Sequence, residues 1–154
     1  MKNTLVIIHK TSALTAFILI ATFFSSSLFV DMFADQQAVV MVKTNIFYGV
    51  FLLIPLMVIT GITGVKMAPK VTSGPIASKK KRMPFVAANG LLILLPAAYI
   101  LKNLALEGEF NSVFYFIQTI ELLAGFINLS LMALNIRDGF KLKNRALSLL
   151  KARN

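Results

Sequence analysis

Four apolar blocks of membrane-spanning length, separated by short polar stretches, constrain this chain more than any other feature. They cover residues 5–30, 46–65, 84–101 and 113–136. Each is near the roughly 20 residues that a helix needs to cross about 30 Å of hydrocarbon. Backbone N–H and C=O groups find no water in lipid, so segments of this kind are helical. The expected fold is therefore all-α: one integral membrane domain over residues 1–154, built as a four-helix transmembrane bundle. Composition agrees, with 57% hydrophobic and 14% charged residues, where a soluble domain carries about 25% charged residues. Lys2, the apolar run and Ser25–Ser27 have the outline of a signal peptide. The run is longer than a usual signal core and lacks an Ala-x-Ala site, so it is read as a retained span.

Charge gives the bundle a direction. Lys2 and Lys10 precede the first span; Lys66, Lys70, Lys79, Lys80, Lys81 and Arg82 lie between the second and third; Arg137, Lys141, Lys143, Arg145, Lys151 and Arg153 follow the fourth. These are 14 of the 16 basic residues, all on one side, against only Lys43 and Lys102 on the other. Asp31, Asp35, Glu107 and Glu109 share that other side. The positive-inside rule then places both termini in the cytoplasm, which points to a bacterial inner membrane. A net charge of +10 would suggest nucleic acid in a soluble protein. Here the cations flank spans, so the expected partners are membrane lipids, another membrane protein or a second copy, and not nucleic acid. Residues 139–154 read as a basic cytoplasmic tail, with Gly139 capping the fourth span. Phe140, Leu142, Ala146, Leu149 and Leu150 give that tail the spacing of a short amphipathic helix. The stretch between spans two and three reads as a flexible connector.

The fourth span carries polar residues that lipid would penalise. Gln118, Glu121, Gly125, Asn128, Met132 and Asn135 are spaced three, four, three, four and three, which sets them on one helical stripe. Phe116, Leu123, Ile127 and Leu134 occupy the opposite face. The stripe is expected to face the bundle interior. Asn89 in span three lies at the depth of Asn128, and the two are expected to hydrogen-bond. Asn89, Pro96 and Asn103 fall a heptad apart with Tyr99 on their face. Glu121 has no basic partner within the spans so defined. Tyr99, Tyr48, Ser26 and Gln118 lie near its depth, making these five a candidate intramembrane polar site. Pro55 interrupts span two, and Gly61 and Gly64 suit close helix approach.

Catalytic signatures such as GxSxG, HExxH or a P-loop are missing. There is no cysteine and one histidine, so no metal site is expected from one chain. His9, Met67 and Met83 sit at the basic ends of three spans, and a His/Met pair is a known haem axial set. In span number, orientation and size the chain is similar to small four-helix b-type cytochromes of bacterial membranes. Those carry several intramembrane histidines, and no ligand position carries over. Four spans with one intramembrane Glu also resemble small multidrug exporters, whose acid lies in the first span rather than the fourth. More specifically, "KKKRMPFVAANG" (79–90) and "LNIRDGFKLKNR" (134–145) resemble stretches of uncharacterised bacterial four-span membrane proteins, which implies topology and no activity.

The role expected is that of a small non-enzymatic inner-membrane protein. It would bind a partner subunit, lipid or small ligand through its bundle or its basic cytoplasmic face. The alternatives are an ion- or ligand-translocating protein using Glu121 and a haem-binding redox protein using His9.

Overall fold

The computed structural model describes residues 2–67 and 74–151, with backbone alone for residues 2, 143–147 and 149–151. Among these residues the chain is all-α. Helices α1 (Lys2–Phe33) and α2 (Gln36–Met67) form the first hairpin. A third rod runs through α3 (Gly74–Asn89), a π-helical segment (Gly90–Leu94) and α4 (Leu95–Leu106), and α5 (Ser112–Lys151) completes the second hairpin. The four rods are each long and apolar enough to cross a membrane.

Turn chemistry fixes both hairpins. Between α1 and α2, Asp35 Oδ1 accepts the Ala38 N–H at 2.9 Å, capping α2. Gly108, at φ +72°, ends α4 in the left-handed region, and the Glu109 N–H returns to the Leu104 carbonyl at 2.9 Å. Asn111 Oδ1 then accepts the Val113 and Phe114 N–H groups at 3.0 and 3.2 Å, capping α5. Successive rods pack as neighbours, and α5 returns against α1, so the four close into an up-and-down ring. Two apolar clusters fill it. Val30, Val39, Leu101, Ala105 and Phe114 meet at the end carrying the two short turns, here the turn end. Ala16, Ile20, Val86 and Met132 meet toward the opposite, basic end.

The helices outrun the apolar blocks. Helix α2 begins at Gln36 rather than near Ile46, and the third rod begins at Gly74, inside the stretch expected to be a flexible connector. Pro75 suits a first turn, where its missing N–H has no intrahelical partner to lose. Residues 68–73 of that connector lie outside the described residues. Gly139 does not cap the fourth span; α5 continues through it to Lys151 with ordinary backbone angles. The amphipathic face expected for the tail falls largely on side chains outside the described ones.

The π segment corrects the heptad reading of span three. Pro96 has no N–H to offer the preceding turn, and the Leu95 N–H reaches back to the Gly90 carbonyl, five residues away. One inserted residue rotates the rest of the rod by about 100°. Beyond it the buried face is Ala97, Ala98, Leu101 and Ala105, and Tyr99 turns outward, 53% exposed.

Of the three glycines of α2, Gly49 is packed tightest against an α1 side chain, and Gly61 faces open space. A Cβ at Gly49 would overlap the Phe23 ring, one at Gly64 would stand 3.3 Å from the His9 ring, and one at Gly61 would meet nothing within 4 Å. Gly49→Leu is therefore expected to lower the melting temperature of the purified protein, by overpacking worth about 1–3 kcal/mol. Gly61→Leu is expected to leave it unchanged or raised. Equal melting of Gly49→Leu and the parent chain would remove this approach as a constraint.

Candidate functional site

Helix α2 carries a buried stripe of Val39, Lys43, Ile46 and Val50, spaced four, three and four. Lys43 therefore points into the bundle although it lies before the apolar block proper, and it is 1% exposed. The α5 stripe faces it, with Gln118, Glu121, Asn128 and Asn135 all buried. Helix α1 adds Ser27 and Asp31. Lys43 Nζ donates to Glu121 Oε2 at 2.7 Å and to Ser27 Oγ at 2.5 Å. Ser27 donates to the same carboxylate oxygen at 3.2 Å. Gln118 Nε2 donates to Ser27 Oγ at 3.1 Å and also to Asp31 Oδ2. Gln118 Oε1 is left buried without a partner.

This arrangement revises the expected polar site. Glu121 has a basic partner, Lys43, which hydropathy had assigned to a loop. Gln118 belongs to the cluster. Tyr99 does not join it, and neither does Tyr48, 59% exposed. Ser26 turns its hydroxyl back to the Phe23 carbonyl at 3.1 Å, leaving its neighbour Ser27 to enter the network. The sequence signal for Lys43 was its place on the Val39–Val50 stripe. For Asp31 and Ser27 no comparable signal stands out.

Beside Glu121 lies a cavity of about 50 Å3, walled by Phe23, Phe24, Val50, Leu53, Leu94 and Ala98. That is far below the roughly 300–1,000 Å3 of small-molecule pockets. A cavity of that size takes water and not an organic ligand.

Two further polar layers lie along α5. Asn89 Nδ2 donates to Asn128 Oδ1 at 3.0 Å and to the Ala124 carbonyl at 2.8 Å, the pairing expected from depth. At the basic end, Arg82 Nη1 donates to Asp138 Oδ2 at 2.7 Å and to Asn135 Oδ1 at 3.3 Å. Arg137 adds a longer contact to Asp138 at 3.5 Å. The two stretches 79–90 and 134–145, singled out in the sequence, thus meet in space through Arg82, Asn135 and Asp138.

His9 lies between α1 and α2. Its Nδ1 is 3.1 Å from the Thr60 carbonyl and 3.0 Å from Thr63 Oγ1, and Thr60 donates to Ser12 Oγ at 3.0 Å. Met83 Sδ accepts from Asn135 Nδ2 at 3.6 Å, and Met67 is partly exposed at the end of α2. Neither thioether has a described contact with His9. Among the described residues, no three His, Cys, Asp or Glu side chains gather as metal ligands.

The chain matches no protein family, and no curated protein or solved structure shows significant similarity to it.

Breaking a buried pair from one side leaves an uncompensated charge, at a cost of about 3–5 kcal/mol. Lys43→Met and Glu121→Leu are each expected to destabilise the bundle on that scale. The double variant is expected to be more stable than either single one; additive losses in chemical unfolding would refute the coupling. Asn89→Leu and Asn128→Leu are expected to cost about 0.6–2 kcal/mol each. Combined, they lose little more than one alone, as the same unfolding experiment reads out.

Proposed function

We propose that this chain is a non-enzymatic integral membrane protein with both termini in the cytoplasm. Its basic end holds anionic partners, namely acidic lipid headgroups or an acidic surface of a partner subunit. The observation that carries the reading is how the surface is divided. Around the rods the exposed side chains are large and apolar, among them Ile18, Phe51, Leu92 and Phe126. Exposed cations, namely Lys10, Lys66, Lys81, Arg137 and Lys141, belong to one end. A girdle of that kind matches hydrocarbon, and cations beside it attract the anionic cytoplasmic leaflet, worth about 1 kcal/mol each near the surface. The small interior favours this surface role over binding an organic ligand within the bundle.

Orientation is open to a direct measurement, because the chain has no cysteine of its own. In inverted and right-side-out bacterial vesicles, a Glu107→Cys variant is expected to react with an impermeant maleimide from the periplasmic side only. A Lys141→Cys variant is expected to react from the cytoplasmic side only. The reverse pattern would overturn the topology. For binding, native mass spectrometry from nanodiscs is expected to show retained phosphatidylglycerol rather than phosphatidylcholine. Replacing Lys66, Lys81, Arg137 and Lys141 by Gln is expected to abolish that preference. Equal retention of both lipids by the parent chain would leave an acidic protein surface as the partner.

A further inference from the structure

The inward stripes of the four rods run on to the basic end and close there on polar side chains. In the third rod Lys79, Arg82, Val86 and Asn89 are spaced three, four and three. Val86 is fully buried, and Arg82 and Asn89 bond to α5. In α5 Gln118, Gly125, Met132 and Gly139 fall a heptad apart, so Gly139 continues the face turned to the interior. Lys79 meets it there: a Cβ at Gly139 would stand 3.7 Å from Lys79 Nζ. From α1, His9 continues the stripe of Ser12, Ala16 and Ile20 and lies within reach of the Lys79 charge. From α2, Thr60 and Thr63 are buried and bonded to Ser12 and His9. Charge at this mouth does not balance. Asp138 is the one acid of the six that lies at the basic end. Arg82 holds it at 2.7 Å and Arg137 at 3.5 Å. Lys79 has no carboxylate at ion-pair distance among the described residues, although it is half-buried.

We infer that the basic mouth of the bundle is a binding site for an anionic phosphate group, held by the Lys79 ammonium between Gly139 and His9. The ammonium offers three N–H donors on a point charge, the form in which lysine meets phosphate. Water screens a half-buried cation less than an exposed one such as Lys81 or Lys141, so its pull on an anion is stronger. Arg82 serves in a different way. Its Nη1 is taken by Asp138 and Asn135, and by answering Asp138 it removes the repulsion which that acid would exert on an anion. Gly139 brings no side chain, so the α5 backbone stays bare beside the ammonium. The site rests on the reading of the basic end as the one that holds anions, and it names the group and the residue. Inorganic phosphate and the headgroup of an acidic phospholipid both present that group.

His9 is the single histidine, so its ring resonance reports on this mouth alone. The chain is purified in a maltoside detergent, which carries no phosphate. It is titrated at constant pH and ionic strength with inorganic phosphate and, separately, with phosphatidylglycerol and phosphatidylcholine. A saturable shift of the His9 resonance is expected. A shift with phosphatidylglycerol alone makes the source a headgroup; a shift with inorganic phosphate alone makes it a soluble anion. Lys79→Gln is expected to weaken binding about tenfold or more, as loss of a charged hydrogen-bond donor does. Lys79→Arg is expected to retain it, and Lys102→Gln, at the turn end, to leave it unchanged. Gly139→Leu sets a side chain beside the ammonium and is expected to weaken binding as Lys79→Gln does. Full affinity in whichever of those two variants keeps its melting transition overturns the site. So does a parent chain that responds to neither ligand, or that responds equally to phosphatidylcholine or to chloride. The wider reading fails separately. A lipid preference in nanodiscs with no His9 response removes this site and leaves that reading standing. A His9 response to inorganic phosphate with no lipid preference keeps the site and removes the lipid part of that reading.

Discussion

Everything in this bundle depends on one constraint: a charge placed among apolar helices must meet its balance there. Lys43 and Glu121 meet it directly at 2.7 Å. The cost of desolvating two ions is large, and a buried pair is seldom a net gain in stability over well-packed apolar residues. Its effect is selective. Only one rotation of α2 against α5 brings ammonium to carboxylate, and every other rotation leaves a bare charge. Ser27 and Gln118 add hydrogen bonds that tighten the same choice, and the remaining helices are then confined by α2 and α5.

That constraint divides the labour along the molecule. The turn end is held by charge and hydrogen bonds, the middle by a single amide pair, and the basic end by Arg82 with Asp138. Between them sit apolar contacts that any bundle of this size would make. Among the described residues, the cavity beside Glu121 is large enough for water and too small for an organic ligand.

The architecture was readable because four apolar runs leave little choice of fold, and the inward face of α5 because six residues repeat at heptad spacing. Asn89 and Asn128 were found from depth alone. Lys43 was missed for a physical reason: hydropathy ends a span at the first charge, while a helix continues wherever its backbone is bonded and its charge is answered. The answer came from a residue 78 positions away, which no local pattern records. Arg82 was passed over in the same way, counted as flanking charge, and Asp138 was not singled out at all. Tyr99 was misplaced because the π segment shifts the phase of everything after it, and a Gly–Pro interval gives only a faint hint of such an insertion.

Helix α5 touches all three polar layers, through Glu121, Asn128 and Asp138. It is a single rod of 40 residues, about 60 Å at 1.5 Å each. A shaft keyed at three heights cannot twist at one of them alone. Any roll that frees the carboxylate near one mouth also strains the guanidinium clasp near the other, so torque entering at either end is delivered along the whole axle.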